Sequence, residues 1–383
     1  MTNFFEEKRP AAILKHAILD NYIGPFAGKT GLYSPGNRVA FIDGYAGEGR
    51  YESGDEGSPC LLMRHARRLA AMRRPRQLEC FFVEDDPQVF AKLQQVVASE
   101  GAGLQIALAQ GKAAAQLPSL LSQVAGLPAL VFLDPFGLMV PFETAVMPFM
   151  ARPAGYGTPP TETLINFNAS TLRRIAGHLT SPKAFESTLV RMDEVFGSAD
   201  WRDIWLQHAP AGSTQAQREA AETAVVTEYS RRLAKAAGSG FWYTEVFNRA
   251  GNRPVYYLVF LTRHKDGMSS FAEALSLGLE RWREALHKIE NADSLFGDDS
   301  AFKASEDALA EAWVDEIEAN LRKQLALGQP FRVVDHYMQV LGEAFGQARE
   351  KHLRKAWKRL HADGTTLVDS SGKDLFTKTI APA

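Results

Sequence analysis

The sequence is poor in cysteine, with only Cys60 and Cys80 among its 383 residues. Two cysteines in apolar surroundings have neither the number nor the spacing of a disulfide framework or a metal site, so we expect a reducing compartment and no bound metal. The sequence also lacks an apolar run long enough to cross a bilayer, and its first residues include acids where a secretory signal requires positive charge. We therefore expect a cytoplasmic protein without membrane contact.

An excess of either charge is missing as well. The formal net charge is −2, so any nucleic-acid binding needs a local basic patch. Hydrophobic residues make up 45% of the chain and charged residues 23%, which is ordinary for a globular protein. The length permits two or three domains. Nothing in the composition indicates an oligomeric state.

Two common phosphate-binding patterns are incomplete. The P-loop pattern G-x-x-x-x-G-K-[ST] does not occur, and Gly111-Lys112 is followed by alanine. Gly47 and Gly49 begin a dinucleotide fingerprint, but Glu52 stands where its third glycine belongs. The next helix is predicted to begin only at Ser58-Pro59, with Ser58 as N-cap, whereas a pyrophosphate needs a helix N-terminus beside the glycines. The loop therefore favours a cofactor that binds without a phosphate group.

Strands and helices alternate through the first part of the chain. Five apolar runs, from "RVAFIDGY" to "ETLINFNA", are typical of parallel strands buried on both faces. Only helices are predicted at about 170–240, and "FWYTEVFN" and "VYYLVFLTRH" then predict an antiparallel hairpin. Parallel strands that end in such a hairpin are typical of the Rossmann-like class I methyltransferase sheet. We therefore expect this α/β domain at 1–292, with a helical insertion at about 170–240.

The C-terminal part of the chain has a different pattern. Apolar spacing predicts helices at 303–326, 331–345 and 347–361. The stretch "GTTLVDSSGKDLFTKTIAP" predicts two short strands around a Ser-Gly turn. Three helices and a β-hairpin are typical of a winged helix-turn-helix domain, which we place at 300–383.

The stretch "FIDGYAGEG" follows the first strand and ends in closely spaced glycines. Tyr45, Gly47 and Gly49 give the aromatic-x-Gly-x-Gly form of a loop that binds S-adenosylmethionine, whose sulfonium cation prefers aromatic faces and carboxylates. Glycines let the backbone approach the cofactor closely, and Asp43 could take its ammonium group directly or through water. A tight turn without a ligand is the alternative.

Polar residues after the second and third strands complete the predicted cofactor site. Glu84 is expected to accept the ribose hydroxyls, Asp85 to lie near the adenine, and Gln110 to meet the adenine edge. The alternatives are that the acids cap the next helix, which Asp86 begins, and that Gln110 belongs to a plain turn. The predicted cofactor-binding residues are Asp43, Gly44, Tyr45, Ala46, Gly47, Gly49, Glu84, Asp85 and Gln110.

The acidic segment 50–57, "RYESGDEG", is too long for a turn. It is also too acidic to hold a phosphate backbone. We expect it to be a mobile lid over the cofactor or a wall of the acceptor pocket.

The stretch "ALVFLDPFGL" places Asp134 at the end of the fourth strand, where open α/β sheets bind their ligands. Its carboxylate and the neighbouring carbonyls would orient an exocyclic amine, Pro135 has no donor, and Phe136 offers a face on which a base can stack. A buried turn with a hydrophobic plug is the alternative. The predicted catalytic residues are Asp134, Pro135 and Phe136.

Asparagines and arginines follow the fifth strand in "TLINFNASTLRR". Asn166 and Asn168 could orient the substrate, and Arg173 and Arg174 could contact a phosphate. Helix capping by asparagine and a solvated arginine face are the alternatives, and we favour the latter for the arginines.

The stretch "GQAREKHLRKAWKRLHADG" predicts an amphipathic basic helix. Leu353, Ala356, Trp357 and Leu360 form one core-facing stripe, and basic residues crowd the other faces. A recognition helix needs such an apolar back and basic front, although a solvated face or a surface for protein contacts has the same pattern. The predicted nucleic-acid-binding residues are Arg349, Lys351, Arg354, Lys355 and Lys358.

These motifs together resemble a known family. The turn Asp-Pro-Phe-Gly is similar to that of tRNA guanosine N2 methyltransferases, and it departs at Phe136 from the Asp/Asn-Pro-Pro-aromatic signature of other amino methyltransferases. "FIDGYAGEGRY", "FLDPFGL" and "TLINFN" resemble the three-Cys-motif partner family of class I methyltransferases with a GMT-like winged-helix tail. The resemblance covers most of the chain and implies a partner protein with a three-cysteine motif.

We therefore expect an S-adenosylmethionine-dependent N-methyltransferase that acts on an exocyclic amine of a DNA or RNA base. The alternative is a winged-helix module, binding nucleic acid or protein, on a fold that is inactive or only senses the cofactor.

Overall fold

The computed structural model contains a seven-stranded sheet. Its strands are β1 (Arg38–Asp43), β2 (Gln77–Glu84), β3 (Gln105–Gln110), β4 (Ala129–Leu133), β5 (Thr161–Phe167), β6 (Gly240–Val246) and β7 (Tyr256–Thr262). Their order is β3-β2-β1-β4-β5-β7-β6. The first five strands are parallel, and β7 is antiparallel to both β5 and β6. The predicted Rossmann-like sheet with a terminal antiparallel hairpin is confirmed.

The structure describes residues 10–51, 54–137, 139–155, 157–181, 185–249, 253–291, 299–373 and 375–383. The helices are α1 (Pro10–Thr30), α2 (Ser58–Ala70), α3 (Pro87–Glu100), α4 (Ala113–Gln123), α5 (Phe142–Met150), α6 (Ala169–Ala176), α7 (Glu186–Phe196), α8 (Asp200–His208), α9 (Gln215–Ala237), α10 (Lys265–Glu290), α11 (Asp299–Leu325), α12 (Tyr337–Leu341) and α13 (Glu350–Ala362). Short 3-10 turns lie between some of them, as at 333–335 and 342–344.

The predicted helical insertion is confirmed as α6 to α9, which lie between β5 and β6. Thr214 and Gln217 form a capping box at the start of α9, and Gly238 ends it with a left-handed backbone (φ 60°). Buried residues of this helix join the cluster that covers one face of the sheet, together with Ile42, Val131 and Ile165.

The chain folds into two compact units. Of the described residues, the first unit contains 10–11 and 23–264, and the second contains 12–22 and those from 265 to 383. The sequence suggested a domain boundary between 292 and 300, which stays a prediction. In the structure, α10 belongs to the same unit as the C-terminal helices. Residues of both units therefore share α1.

The second unit has shorter regular elements than predicted. In place of a helix at 331–345, it has the strand β8 (Phe331–Arg332), a 3-10 turn and the five-residue α12. The first and third predicted helices are confirmed as α11 and α13. In α13 the stripe of Leu353, Ala356, Trp357 and Leu360 is fully buried, as its spacing predicted.

The hairpin predicted in the last residues is wrong in the described part of that segment. The strand β9 (Thr379–Ile380) pairs instead with β8. Two backbone carbonyls of the predicted hairpin accept hydrogen bonds from side chains and not from a neighbouring strand. The Trp357 indole donates to the Val368 carbonyl (2.7 Å), and Lys378 donates to the Asp369 carbonyl (2.7 Å). A winged helix is not confirmed for this unit and stays a prediction.

Helix α1 contains Gly28-Lys29-Thr30, a tripeptide that a P-loop also uses. A P-loop places it between a strand and the start of a helix, whereas here it ends one. Among the described helices, none is both long enough and apolar enough to span a membrane.

Arg263 closes the carbonyl ends of two helices in the first unit. Its guanidinium donates to the carbonyls of Ala237 at the end of α9 (2.9 Å), Phe149 in α5 (3.1 Å), and Arg152. It also lies over the Phe149 ring, 5.0 Å from the centroid. These are carbonyls that a helix leaves without partners at its end.

We expect Arg263→Ala to lower the free energy of unfolding by about 2 kcal/mol, because buried carbonyls lose a charged donor. Denaturant unfolding followed by circular dichroism measures this change. Arg191→Ala, at an exposed site on α7, is the control and should stay within about 0.5 kcal/mol of the wild type. Equal stability of the two variants would contradict the capping role.

Candidate active site

The predicted polar residues converge at one edge of the sheet. Glu84 pairs in register with Gln110, and the register Leu133 to Ile165 makes Asp134 and Asn166 the next neighbours. Residues that precede them pack into the cluster on one face of the sheet, as Ile42, Val83, Leu133 and Ile165 do. Because side chains alternate along a strand, Asp43, Glu84, Gln110, Asp134 and Asn166 point to the opposite face.

Asp43 has its carboxylate turned inward. The side chain is fully buried. One oxygen accepts from the Tyr45 amide (3.0 Å) and the other from the Ser58 hydroxyl (2.6 Å). In this structure Asp43 thus ties the glycine loop to α2 and does not present an open carboxylate to a ligand. Ser58 was predicted as N-cap of α2, but Gly57 takes that position and Ser58 begins the helix.

The loop after β1 is held to the neighbouring strands by its backbone. The Gly44 amide donates to Phe132 (2.9 Å) and the Ala46 amide to Val83 (2.9 Å). Gly47 and Gly49 have positive φ values of 65° and 85°, which favour glycine. They differ in their surroundings: a Cβ on Gly49 would meet Val96 and Leu93 of α3, whereas one on Gly47 would enter open space. Gly47 therefore borders a free volume.

Glu84 connects this loop to the end of β2. Its carboxylate accepts from the amides of Gly47 (2.9 Å) and Asp86 (3.0 Å). A carboxylate has about four acceptor positions, so two positions remain for a ligand. Asp86 caps α3 by accepting from the next amides, as its alternative role predicted, while Asp85 is exposed.

Tyr45 lies beside these acids and is partly buried. Burial raises the pKa of its phenol, and the charge of Asp85 raises it further. The hydroxyl is therefore protonated at neutral pH. Gln110 is exposed at the end of β3, where its carbonyl accepts from the Gln116 side chain (3.0 Å).

The described residues of the segment 50–57 form a small closed hairpin. Arg50 and Glu56 are bridged, and Gly57 donates to the Gly49 carbonyl (2.9 Å). Arg50 also pairs with Glu100 (2.8 Å) and Glu56 with Arg64 (3.0 Å). A lid at this position stays a prediction, and its opening would have to break these pairs.

The Asp-Pro-Phe-Gly turn extends beyond β4. Asp134 is partly exposed, and its carboxylate accepts from the Asn166 amide (2.6 Å). Phe136 is 96% exposed, so the alternative of a buried hydrophobic plug is wrong. Gly137 supports the turn with a positive φ of 68°, and its carbonyl accepts from Thr171 of α6 (3.3 Å).

Asn166 and Asn168 have different functions. Asn166 is only 7% exposed, and its carbonyl oxygen has no hydrogen-bond partner within the described part of the chain. This pattern leaves one acceptor to spare beside Asp134. Asn168 caps α6 by accepting from the Thr171 amide (2.8 Å), which is the capping role that the sequence left open.

Arg173 is not a free phosphate ligand. It pairs with the buried Glu222 of α9 (2.9 Å), which also accepts from the Tyr257 hydroxyl (2.9 Å). Glu222 was not among the predicted site residues, although an acid within the apolar stripe of α9 indicates a buried partner. Arg174 is exposed, as a solvated face would be.

The two cysteines are poor nucleophiles. Both are free and buried. Burial raises the pKa of Cys60 to about 11 and that of Cys80 to about 12. Neither is therefore a thiolate nucleophile at neutral pH.

In the second unit, some of the basic residues of α13 and its N-cap form ion pairs. Arg349 pairs with Glu280 (2.9 Å), and Arg354 with Glu350 of its own helix. Lys355 pairs with Glu311 of α11. Lys351 and Lys358 are exposed and make no ion pair with a described residue. Nucleic-acid binding by α13 stays a prediction, and only part of its basic charge is unpaired.

No protein-family model matches the chain, and no curated protein matches its sequence. Among solved structures, the O-methyltransferase TomG from Streptomyces achromogenes, in complex with SAM, is 12% identical with a TM-score of 0.32, covering 69% of this chain and 93% of that one. The methyltransferase domain of bacterial CtHen1 is 11% identical (TM-score 0.31; 64% and 98%).

Geranyl diphosphate methyltransferase in complex with GPP and sinefungin is 9% identical with a TM-score of 0.27, covering 65% of this chain and 76% of that one. Overlaps of this size carry no argument about cofactor or substrate. The fold rests on the strand order, and the resemblance to the three-Cys-motif partner family stays a prediction.

We expect Asp43→Ala to lower the free energy of unfolding by about 3 kcal/mol without any cofactor, because two buried donors lose their acceptor. Ser58→Ala should cost about 1 kcal/mol. Since both act through one contact, the double variant should cost at least about 0.5 kcal/mol less than the sum. Denaturant unfolding of the four proteins measures the coupling. Additive losses would show that Asp43 does not hold Ser58.

Proposed function

We propose that this protein is an S-adenosylmethionine-dependent methyltransferase that modifies an exocyclic amino group of a nucleic-acid base. The observation that carries the proposal is the contact between Asp134 and Asn166 at the carboxyl edge of the sheet. The two groups lie at the ends of β4 and β5, on the face of the sheet that Glu84 shares. An open volume at Gly47 and an exposed ring at Phe136 accompany them.

The residues near Gly47 fit this cofactor. The free space at Gly47 lets a ligand meet the backbone, and Glu84 has acceptor positions left for ribose hydroxyls. The neighbouring acids disfavour a phosphate group, while they suit a cation. Tyr45 adds an aromatic face. When bound, S-adenosylmethionine supplies an electrophilic methyl group.

Asp134 and Asn166 fit an acceptor group that carries hydrogen. The Asn166 amide donates to one Asp134 oxygen, so that oxygen acts as an acceptor. A substrate N–H would meet the Asp134 carboxylate, with the Asn166 carbonyl oxygen as a further acceptor nearby. An amino group offers two hydrogens and suits this pair. Alignment of its nitrogen would provide most of the rate.

Phe136 suits a planar substrate. A phenyl ring exposed on this scale has a flat apolar face, and every nucleic-acid base can stack on such a face. A base can reach the turn only when it is unstacked or flipped out of a duplex. We include the winged helix at 300–383 and a partner protein with a three-cysteine motif in the proposal, as the family resemblance implies.

Gly47→Ala tests the cofactor site. A Cβ would fill the free space and strain a left-handed backbone, so we expect at least about tenfold weaker binding of S-adenosylmethionine by isothermal titration. Gly103→Ala is a matched control, because Gly103 also has positive φ (77°) and open space around its Cβ. It should lose similar stability and keep its affinity. Equal affinities of both variants would exclude this loop as the cofactor site.

Asp134→Ala and Asn166→Ala test the acceptor site. We expect Asp134→Ala to abolish methyl transfer and Asn166→Ala to lower kcat by about 10- to 100-fold, because a positioned acceptor contributes on this scale. Both should bind S-adenosylmethionine as the wild type does. The measurement is mass spectrometry of nucleosides from total nucleic acid of cells without the gene, treated with each protein and the cofactor.

Asn168→Ala is the control for this pair. It removes a helix cap a few residues from Asn166 and should cost about 1 kcal/mol of stability with transfer intact. Cofactor binding without methylation of any nucleoside would favour the alternative, a binding or sensing module. Methyl groups found only on hydroxyl oxygens would overturn the amine assignment.

A further inference from the structure

An arginine-rich segment leads from the candidate active site to the opposite edge of the sheet. Six arginines and no acidic residue occur between Gly57 and Leu78, in a chain whose net charge is −2. The segment contains α2 and the turn that leads into β2. Because β1 and β2 are parallel, this turn lies at the amino edge of the sheet, opposite the edge that carries Asp134.

Half of these arginines have structural partners. Arg64 pairs with Glu56 (3.0 Å), and Arg67 donates to the carbonyl at the end of α3. Arg76 is buried at 6% exposure. Arg68, Arg73 and Arg74 remain, all exposed, and their guanidinium groups make no hydrogen bond or ion pair with any described residue.

Buried Arg76 joins this turn to a second exposed segment. Its guanidinium donates to the carbonyls of Arg74 (3.2 Å) and Pro75 (3.1 Å). A Cβ on Gly31 would lie 2.8 Å from the Arg76 Cδ, so the chain at Gly31 passes directly beside it. The next residues after Gly31 are therefore close to the 72–74 turn.

Large apolar side chains are exposed on both segments. Tyr33 is 89% exposed, Leu32 41% and Met72 51%. Together with the three unpaired arginines they form one surface, which we name the amino-edge surface. It consists of Leu32, Tyr33, Arg68, Met72, Arg73 and Arg74.

The charge on this surface differs in kind from that on α13. There, Lys355 and Arg359 are neutralised by Glu311 and Asp315 of α11. Arg68, Arg73 and Arg74 have no such carboxylate partner within the described part of the chain. Guanidinium groups are weakly hydrated and match phosphate geometry. The unpaired arginines at the amino edge are therefore stronger phosphate ligands than the paired Lys355 and Arg359 of α13.

We propose that the amino-edge surface binds the sugar-phosphate backbone of single-stranded nucleic acid, with a base stacked on Tyr33. Arginines that track a backbone and an aromatic side chain that stacks a base are the two parts of a single-strand site. A single strand suits it better than a duplex, whose bases are already stacked on one another.

If the proposed function holds, one strand reaches from the candidate active site to the amino-edge surface, and its length can be estimated. Only this length depends on the proposed function. The six residues of β1 separate the two edges by about 20 Å, at roughly 3.3 Å per residue. In a stacked strand, phosphates advance by about 3.4 Å along the axis, so a stacked strand that meets both edges has about six nucleotides between its target base and the arginines. A more extended strand needs fewer.

The test is fluorescence anisotropy of a labelled single-stranded 20-mer RNA and DNA with the full chain, without cofactor, over a range of salt concentrations. We compare R73A/R74A with R191A/K235A on α7 and α9, since each pair removes two positive charges from exposed positions that make no ion pair with a described residue. R73A/R74A should weaken binding at least about tenfold at low salt. The slope of log affinity against log salt should fall by about 1.4, or about 0.7 per lost phosphate contact. R191A/K235A should stay within about twofold of the wild type.

Tyr33→Ala separates nucleic acid from other polyanions. It should weaken binding of the 20-mer about fivefold or more, because a base loses its stacking partner, and leave binding of heparin unchanged. Equal losses for both double variants, or no binding by the wild type, would overturn the proposal. A Tyr33→Ala effect that is absent or equal for heparin would assign the surface to polyanions in general. The experiment measures binding and not methyl transfer. Its result therefore stands even if the site at Asp134 proves to be inactive.

Discussion

The glycine loop depends on two carboxylates at the ends of neighbouring parallel strands. Asp43 takes the Tyr45 amide and the Ser58 hydroxyl, and Glu84 takes the Gly47 amide. These contacts fix the backbone between β1 and α2 on both sides and leave open space beside Gly47. The pleat of the sheet then brings the ends of β4 and β5 to the same face. Every feature of the candidate site follows from this edge.

Much of the sheet could be predicted from the sequence, because its information is local. Continuous apolar runs mark buried parallel strands, and a Gly/Asn turn marks the final hairpin, so strand directions follow from the pattern. The stripe of α13 follows from helical spacing in the same way. The pair β8 and β9 could not be predicted, since two residues per strand are too few for an alternating pattern.

The function of each acid and base was harder to predict than its position. Asp43 ends a strand as expected, yet whether its carboxylate faces a ligand or a serine depends on where α2 packs. The same holds for Arg173, whose partner Glu222 lies on a different helix, and for Lys355, whose partner Glu311 is 44 residues away in sequence. A single sequence shows which charges exist but not which of them neutralise one another.

Helix α1 has a consequence for synthesis of the chain. Its residues 12–22 belong to the second unit, where the Tyr22 hydroxyl contacts the Gly267 carbonyl, 245 residues later. At about 5–20 residues per second, a ribosome needs about 12–50 s to make that partner. Buried side chains of this segment, such as Leu14 and Ile18, stay without their final packing for that interval. The nascent chain therefore exposes a helix that a chaperone could hold until α10 has emerged.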